Sequence, residues 1–130
     1  MILLDTHCAV WLAVSPERLS IGAKRSIQET RQTGGKLALS VISLYEIAYI
    51  ARRKRIQLHV EVRDFLGRLG AEFEIIPVNA AIAAQAAQFP EPFPSDPMDR
   101  LIAATALECG LVLITRDDRI HQSGVCRTLW

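Results

Sequence analysis

The chain is short of the groups that most often announce a metal or redox site. Its three cysteines, Cys8, Cys109 and Cys126, are odd in number and lack any Cys-x-x-Cys spacing. That excludes a disulfide framework and a zinc knuckle, and leaves buried free thiols as the expectation. Its three histidines, His7, His59 and His121, are scattered and form no His-Glu-x-x-His or similar pattern, so no His/Cys metal site is expected. Excess charge of one sign is also missing. A net charge of +1 excludes a strongly basic glove around nucleic acid and leaves room only for a local patch, so composition neither supports nor excludes an RNA substrate. Long apolar runs are absent too. Asp5 interrupts the apolar N-terminus before a signal-peptide core forms, and Glu108 breaks the longest apolar region, so the expected protein is cytoplasmic and spans no membrane. There is no Gly-x-Ser-x-Gly, no P-loop and no Gly-x-Gly-x-x-Gly, which removes support for acyl transfer, nucleotide hydrolysis by that route and dinucleotide binding.

What is present is an ordinary globular composition, 50% hydrophobic and 22% charged over 130 residues. That length suits one domain, residues 1–130, with a single core. Ile2, Leu3 and Leu4 form a short apolar run suited to a strand buried on both faces. Asp5 ends it, and Thr6 is placed to cap a helix that carries Ala9 to Ala13 towards a break at Ser15-Pro16. Ser20 caps a second helix, with Ala23 and Ile27 on its apolar side, and Gly34-Gly35 stops it. A buried strand follows over Leu37 to Leu39, and Ser40 or Ser43 opens a third helix through Glu46 to Ile50. That helix ends in Arg52-Arg53-Lys54-Arg55, cations for which a helix C-terminus is explanation enough, with a contact to RNA phosphate the alternative. Val60 to Leu69 reads as a fourth helix ended by Gly70. Phe73 to Val78 reads as a strand whose Pro77 marks its end or an edge position. Ala80 to Phe89 is Ala-rich and helical, and Pro90, Pro92, Pro94 and Pro97 make a stiff connector. Leu111 to Ile114 is a buried strand, and Val125 to Trp130 can supply one more. Alternating strands and helices without internal repeat predict an α/β domain: a three-layer α/β/α arrangement around a central, mainly parallel sheet.

Chemistry concentrates at Ser95-Asp96-Pro97-Met98-Asp99-Arg100. Asp96 suits an N-cap, Pro97 the first helical position, and Asp99 the third, at the positive end of the helix dipole. Asp99 in that place serves either as a reciprocal cap to Asp96 or as an ionised metal ligand. Asp5 and Asp117 each follow a strand, and Glu46 lies one turn into a helix that follows another, its side chain leaning towards the helix N-terminus. In a parallel sheet these junctions share one edge. Four carboxylates in one crevice repel one another unless a hard divalent cation offsets them. Mg²⁺ or Mn²⁺ prefers carboxylate oxygen and water, takes further ligands from phosphate, and lowers the pKa of a bound water, which points to phosphodiester hydrolysis. Taken singly, each acid also reads as a cap or a solvated surface charge.

These residues together resemble a known family. Leu3-Leu4-Asp5-Thr6-His7 with Trp11 behind it, Ser40 to Glu46, Asp96 to Ala106, and Leu113-Ile114-Thr115-Arg116-Asp117 are similar in order and spacing to the PIN-domain ribonucleases, nearest to the VapC-like toxins of bacterial toxin–antitoxin pairs. The resemblance implies a PIN-like fold and a Mg²⁺- or Mn²⁺-dependent endoribonuclease, held inactive by a VapB-type antitoxin and commonly homodimeric. It implies that Asp5, Glu46, Asp99 and Asp117 hold the metal and activate water, with Thr6 and Thr115 bonding ligands or water and Asp96 a cap or a secondary contact. Arg100 and Arg116 then either meet substrate phosphates or offset the acidic cluster. Family members seat the antitoxin tail in a groove between early helices, so partial exposure of Trp11 or Tyr49 would support such a groove. A non-catalytic binding or signalling module with an acidic cation site is the alternative. A receiver-like domain needs a paired acid near the first strand and a late Lys, and a dehalogenase-type phosphatase needs Asp-x-Asp where this chain has His7.

Overall fold

The computed structural model describes all residues, 1–130. Five strands, β1 (Ile2–Leu4), β2 (Leu37–Ser40), β3 (Glu74–Ile76), β4 (Val112–Ile114) and β5 (Thr128–Leu129), form one sheet in the order β3-β2-β1-β4-β5. Every pairing is parallel, with Leu3 opposite Ala38 on one side and Leu113 on the other. Seven helices cover it: α1 (Thr6–Val14), α2 (Ile21–Gln32), α3 (Val41–Arg52), α4 (Val62–Glu72), α5 (Ala80–Gln88), α6 (Pro97–Glu108) and α7 (Asp118–Ser123). None is long and apolar enough to cross a membrane.

The two-residue period of a strand divides the core. Ile2, Leu4, Leu37, Leu39 and Ile114 pack with Trp11, Ile27, Ile47 and Phe65 from α1 to α4, whereas Leu3, Ala38 and Leu113 pack with Ile82, Ile102 and Ile120 from α5, α6 and α7. Helices thus lie on both faces. Ala103, Ala104 and Ala106 are fully buried, so α6 meets its neighbours through small side chains that permit close approach. Truncating Ile102 at its centre is expected to cost about 2–5 kcal/mol.

Several boundaries differ from the sequence-based expectation, each for a local reason. Asp5, not Thr6, caps α1: its backbone is extended and its Oδ1 accepts the Thr6 amide at 2.7 Å. Of the two caps expected for α3, Ser40 is the one used, and the buried Ser43 hydroxyl accepts from Thr6 at 3.0 Å. Helix α4 runs through Gly70 to Glu72, because Gly70 is exposed and keeps ordinary helical backbone. By contrast Gly110, at φ +64°, does end α6. The third strand is shorter than Phe73 to Val78, stopping before Pro77, and it lies at the sheet edge as a strand followed by proline should. The short helix α7 was not anticipated. Of the cysteines only Cys8 is buried, while Cys109 is exposed and Cys126 intermediate.

Candidate metal centre and its crevice

Reading the strand order along the chain places the reversal of direction between β1 and β4, so the ends of these central strands border the crevice where ligands of open parallel sheets bind. Asp5 follows β1, and Thr115 and Asp117 follow β4. The Asp5 carboxylate is held on both sides. Its Oδ1 accepts from the Thr6 amide, and its Oδ2 accepts from the Thr115 hydroxyl at 2.7 Å. That hydroxyl in turn accepts the Asp117 amide at 3.1 Å, tying the two strand ends together.

A crevice of about 940 Å³ opens over this floor. Asp5, Glu46, Asp99 and Asp117 all line it, with Asp96 and Asp118 beside them. Asp96 caps α6 by accepting the Met98 amide at 2.8 Å. Asp99 makes no reciprocal bond; the nearest opposite charge is the Arg119 Nη2, 4.0 Å from its Oδ2. Leaning back from α3, Glu46 reaches the same space from a different element.

The acids are in electrostatic conflict. Burial first, then the charges of Asp5, Asp99 and Asp96, push the Glu46 carboxyl up to about 7, with Thr6 offsetting a little. Asp99 is pushed up to about 6 by burial and by Asp5, Asp96 and Asp117, against the pull of Arg119. Burial also raises Asp5, opposed by Thr115, His7 and the Thr6 amide. Asp117 alone moves down, because Arg119 bonds it. Beneath them the Cys8 thiol is pushed up by burial and by Asp5, which leaves it protonated and inert.

Such a set fits a hard cation. Every donor is a carboxylate or hydroxyl oxygen, the choice of Mg²⁺ or Mn²⁺ rather than of zinc or copper. In the present arrangement no three of the His, Cys, Asp or Glu side chains converge closely enough to hold an ion, and Asp117 holds Arg119 instead.

Two arginines were singled out beside the acids, and the structure separates them. Arg116 is exposed and lines the crevice. Arg100 does not: its guanidinium donates to the Phe89 carbonyl at 2.8 and 3.2 Å and lies over the Phe93 ring, which fixes the proline-rich connector to α6. Arg119 was missed, though it touches the acids more directly than either. A position two residues into a helix capped by Asp117 was the only available signal. From the basic run only Arg55 lines the crevice, while Arg53 donates to the Tyr49 hydroxyl at 2.9 and 3.2 Å. Trp11, 7% exposed, and Ile50, 5% exposed, belong to the core, whereas Tyr45 and Tyr49 are 59% and 41% exposed along the crevice wall.

Comparison with known proteins identifies the family. Residues 2–124 match the PIN domain family. The chain is 38% identical to Ribonuclease VapC22 of Mycobacterium tuberculosis over 131 aligned positions, covering 99% of this chain and 98% of that protein. Its fold is shared with VapBC2 from Rickettsia felis bound to a promoter DNA fragment, at TM-score 0.75 and 19% identity over 100% of this chain and 99% of that one. It is shared equally with a toxin–antitoxin complex from Klebsiella pneumoniae, at TM-score 0.72 and 21% identity over 100% and 97%. An acid-lined crevice at the strand ends of a five-stranded parallel sheet, a full-length match to a VapC ribonuclease and the family match itself lead to one conclusion: the chain belongs to the PIN-domain family, among its VapC-like ribonucleases.

Proposed function

We propose that the protein is a Mg²⁺- or Mn²⁺-dependent endoribonuclease acting as the toxin of a toxin–antitoxin pair. The observation that carries this reading is the gathering of Asp5, Glu46, Asp99 and Asp117, from four separate elements, around one crevice. A divalent ion bound there would supply an activated water and charge stabilisation for phosphodiester cleavage. Asp5, fixed by Thr6 and Thr115, is the pre-oriented ligand, and Asp99, Glu46 and Asp117 complete the set. The Glu46 and Asp99 carboxyls, which burial and neighbouring acids push up to about 7 and about 6, would be held ionised by a cation bound between them. The exposed Arg116 and Arg55 at the crevice are placed to meet RNA phosphates.

The antitoxin reading is supported by the exposed Tyr45 and Tyr49, which continue the crevice wall as an aromatic surface for a VapB-type segment. A homodimer, which the family resemblance implies, is tested by light scattering of the purified protein. For the activity itself the test is cleavage of transfer, ribosomal and messenger RNA with Mg²⁺ or Mn²⁺, with EDTA, and with Asp99→Asn. Cutting that needs both the ion and Asp99 is the expected result. An RNA panel left intact under every metal would return the crevice to a non-catalytic cation-binding module.

A further inference from the structure

Arg119 is the one cation that bonds the acids directly. It sits at the second position of α7, whose N-cap is Asp117, and its amide donates to Asp117 Oδ1 at 2.8 Å. The guanidinium then folds back on the same carboxylate, Nε to Oδ1 at 3.2 Å and Nη2 to Oδ2 at 2.7 Å. Both oxygens of Asp117 are therefore engaged by one residue. The same Nη2 is 4.0 Å from Asp99 Oδ2, so the positive charge lies between two of the carboxylates that would bracket a metal ion.

We propose that Arg119 is the crevice's own counter-cation, and that a divalent ion must displace its guanidinium from Asp117 in order to bind. The inference rests on the metal-dependent reading above and concerns how the metal-free and metal-loaded states exchange. Two like charges cannot share the space between Asp99 and Asp117, because at a few ångströms their repulsion is of the order of the carboxylate attraction that holds either of them. Asp117 stays below the ordinary carboxyl range and Asp99 is partly relieved, which is the service a metal would perform with twice the charge. The side chain is 66% exposed, so nothing packed around it prevents its leaving. Once released it would remain tethered at the crevice, which Arg116 also lines. With its guanidinium off Asp117, Arg119 would change from neutralising the protein's own acids to being free to face phosphate.

The test is Mn²⁺ binding to the metal-free full-length protein by titration calorimetry, without RNA. Arg119→Gln is expected to bind Mn²⁺ roughly two- to tenfold more tightly than wild type, the modest size following from an exposed pair. Lys24→Gln makes the same change of net charge on α2, outside the crevice, and is expected to leave the affinity unchanged. Equal or weaker binding by Arg119→Gln, or an equal gain in Lys24→Gln, overturns the inference while leaving the nuclease reading intact. A folded wild type that binds no Mn²⁺ at all overturns both. Independently, titrating wild type with Mg²⁺ should move the Arg119 Nε–H resonance from its hydrogen-bonded position; an unmoved resonance at saturating Mg²⁺ overturns the inference too.

Discussion

The Thr115 hydroxyl donates to Asp5 Oδ2 at 2.7 Å across 110 residues of sequence, and Thr115 Oγ1 in turn accepts the Asp117 amide. One hydroxyl thus orients two of the four acids. Replacing it by Thr115→Val leaves the shape nearly unchanged but strands a buried carboxylate oxygen and an amide. The expected loss is about 1–3 kcal/mol of stability by urea denaturation, with an unchanged slope. Metal affinity is expected to fall roughly 10- to 100-fold, as when an outer hydrogen bond to a ligand is lost. Thr115→Ser, which keeps the hydroxyl, should recover most of both; if Val and Ser variants behave alike, the hydroxyl is not what orients Asp5.

Asp99→Asn removes one ligand charge at almost no change in size. Because the Asp99 carboxyl is pushed up by burial first and then by Asp5, Asp96 and Asp117, neutralising it removes a buried charge and relieves repulsion in the metal-free protein. Thermal stability without metal is therefore expected to rise slightly, while RNA cleavage falls by at least about 100-fold. Wild-type cleavage by a folded Asp99→Asn protein would remove Asp99 from the site.

The raised carboxyls set a direction for pH. Glu46 near 7 and Asp99 near 6 hold protons more tightly in the folded protein than in the unfolded chain, where both titrate near ordinary carboxyl values. Their favourable contribution is complete below those ordinary values and is lost as pH rises through about 6 to 7. The metal-free melting temperature should thus decline between about pH 5 and 7.5, and the gain on adding Mn²⁺ should grow over the same interval. Asp117, shifted down, acts oppositely but only at acid pH, where its stabilising bond to Arg119 is lost as pH falls. A melting temperature that climbs from pH 5 to 7.5 without metal would contradict the electrostatic picture.

The basic run at the end of α3 divides by position. Arg55 lines the crevice, whereas Arg53 is committed to Tyr49 and Lys54 turns the chain at φ +55°. Converting Arg52, Arg53, Lys54 and Arg55 to Ala is expected to weaken RNA binding and flatten its dependence on salt. Arg55→Ala alone should produce most of that change. An unchanged salt slope in the fourfold variant would assign the run to solvation of the helix end.

Much of this was legible in the sequence where a residue's type and its neighbour's type agreed. Ile2 to Leu4 and Leu111 to Ile114 are apolar enough to be buried on both faces, and Asp96-Pro97 marks a helix start that the Asp96 cap bond bears out. What escaped was set by distance or phase. Arg100 follows Asp99 by one residue, a rotation of about 100° on a helix, so the two point to different neighbours and Arg100 meets Phe89 instead of the crevice. Gly70 looked like a stop, but an exposed helical glycine costs only about 1 kcal/mol and α4 packing through Phe65 and Leu69 overrides it. Asp117-Asp118-Arg119 reads as a polar loop, and only its folding into α7 turns Arg119 onto Asp117.

The strand order has a consequence for synthesis. Asp5 follows β1, whereas Thr115 and Asp117 follow β4, and the Thr115 hydroxyl that meets Asp5 is 110 residues further along the chain. A nascent chain that has emerged as far as Gly110 already carries Asp5, Glu46 and Asp99, but β1 lacks its β4 partner and the crevice lacks one wall. Because such long-range pairing closes late in folding, the four acids come together only after β4 has been made and has paired with β1.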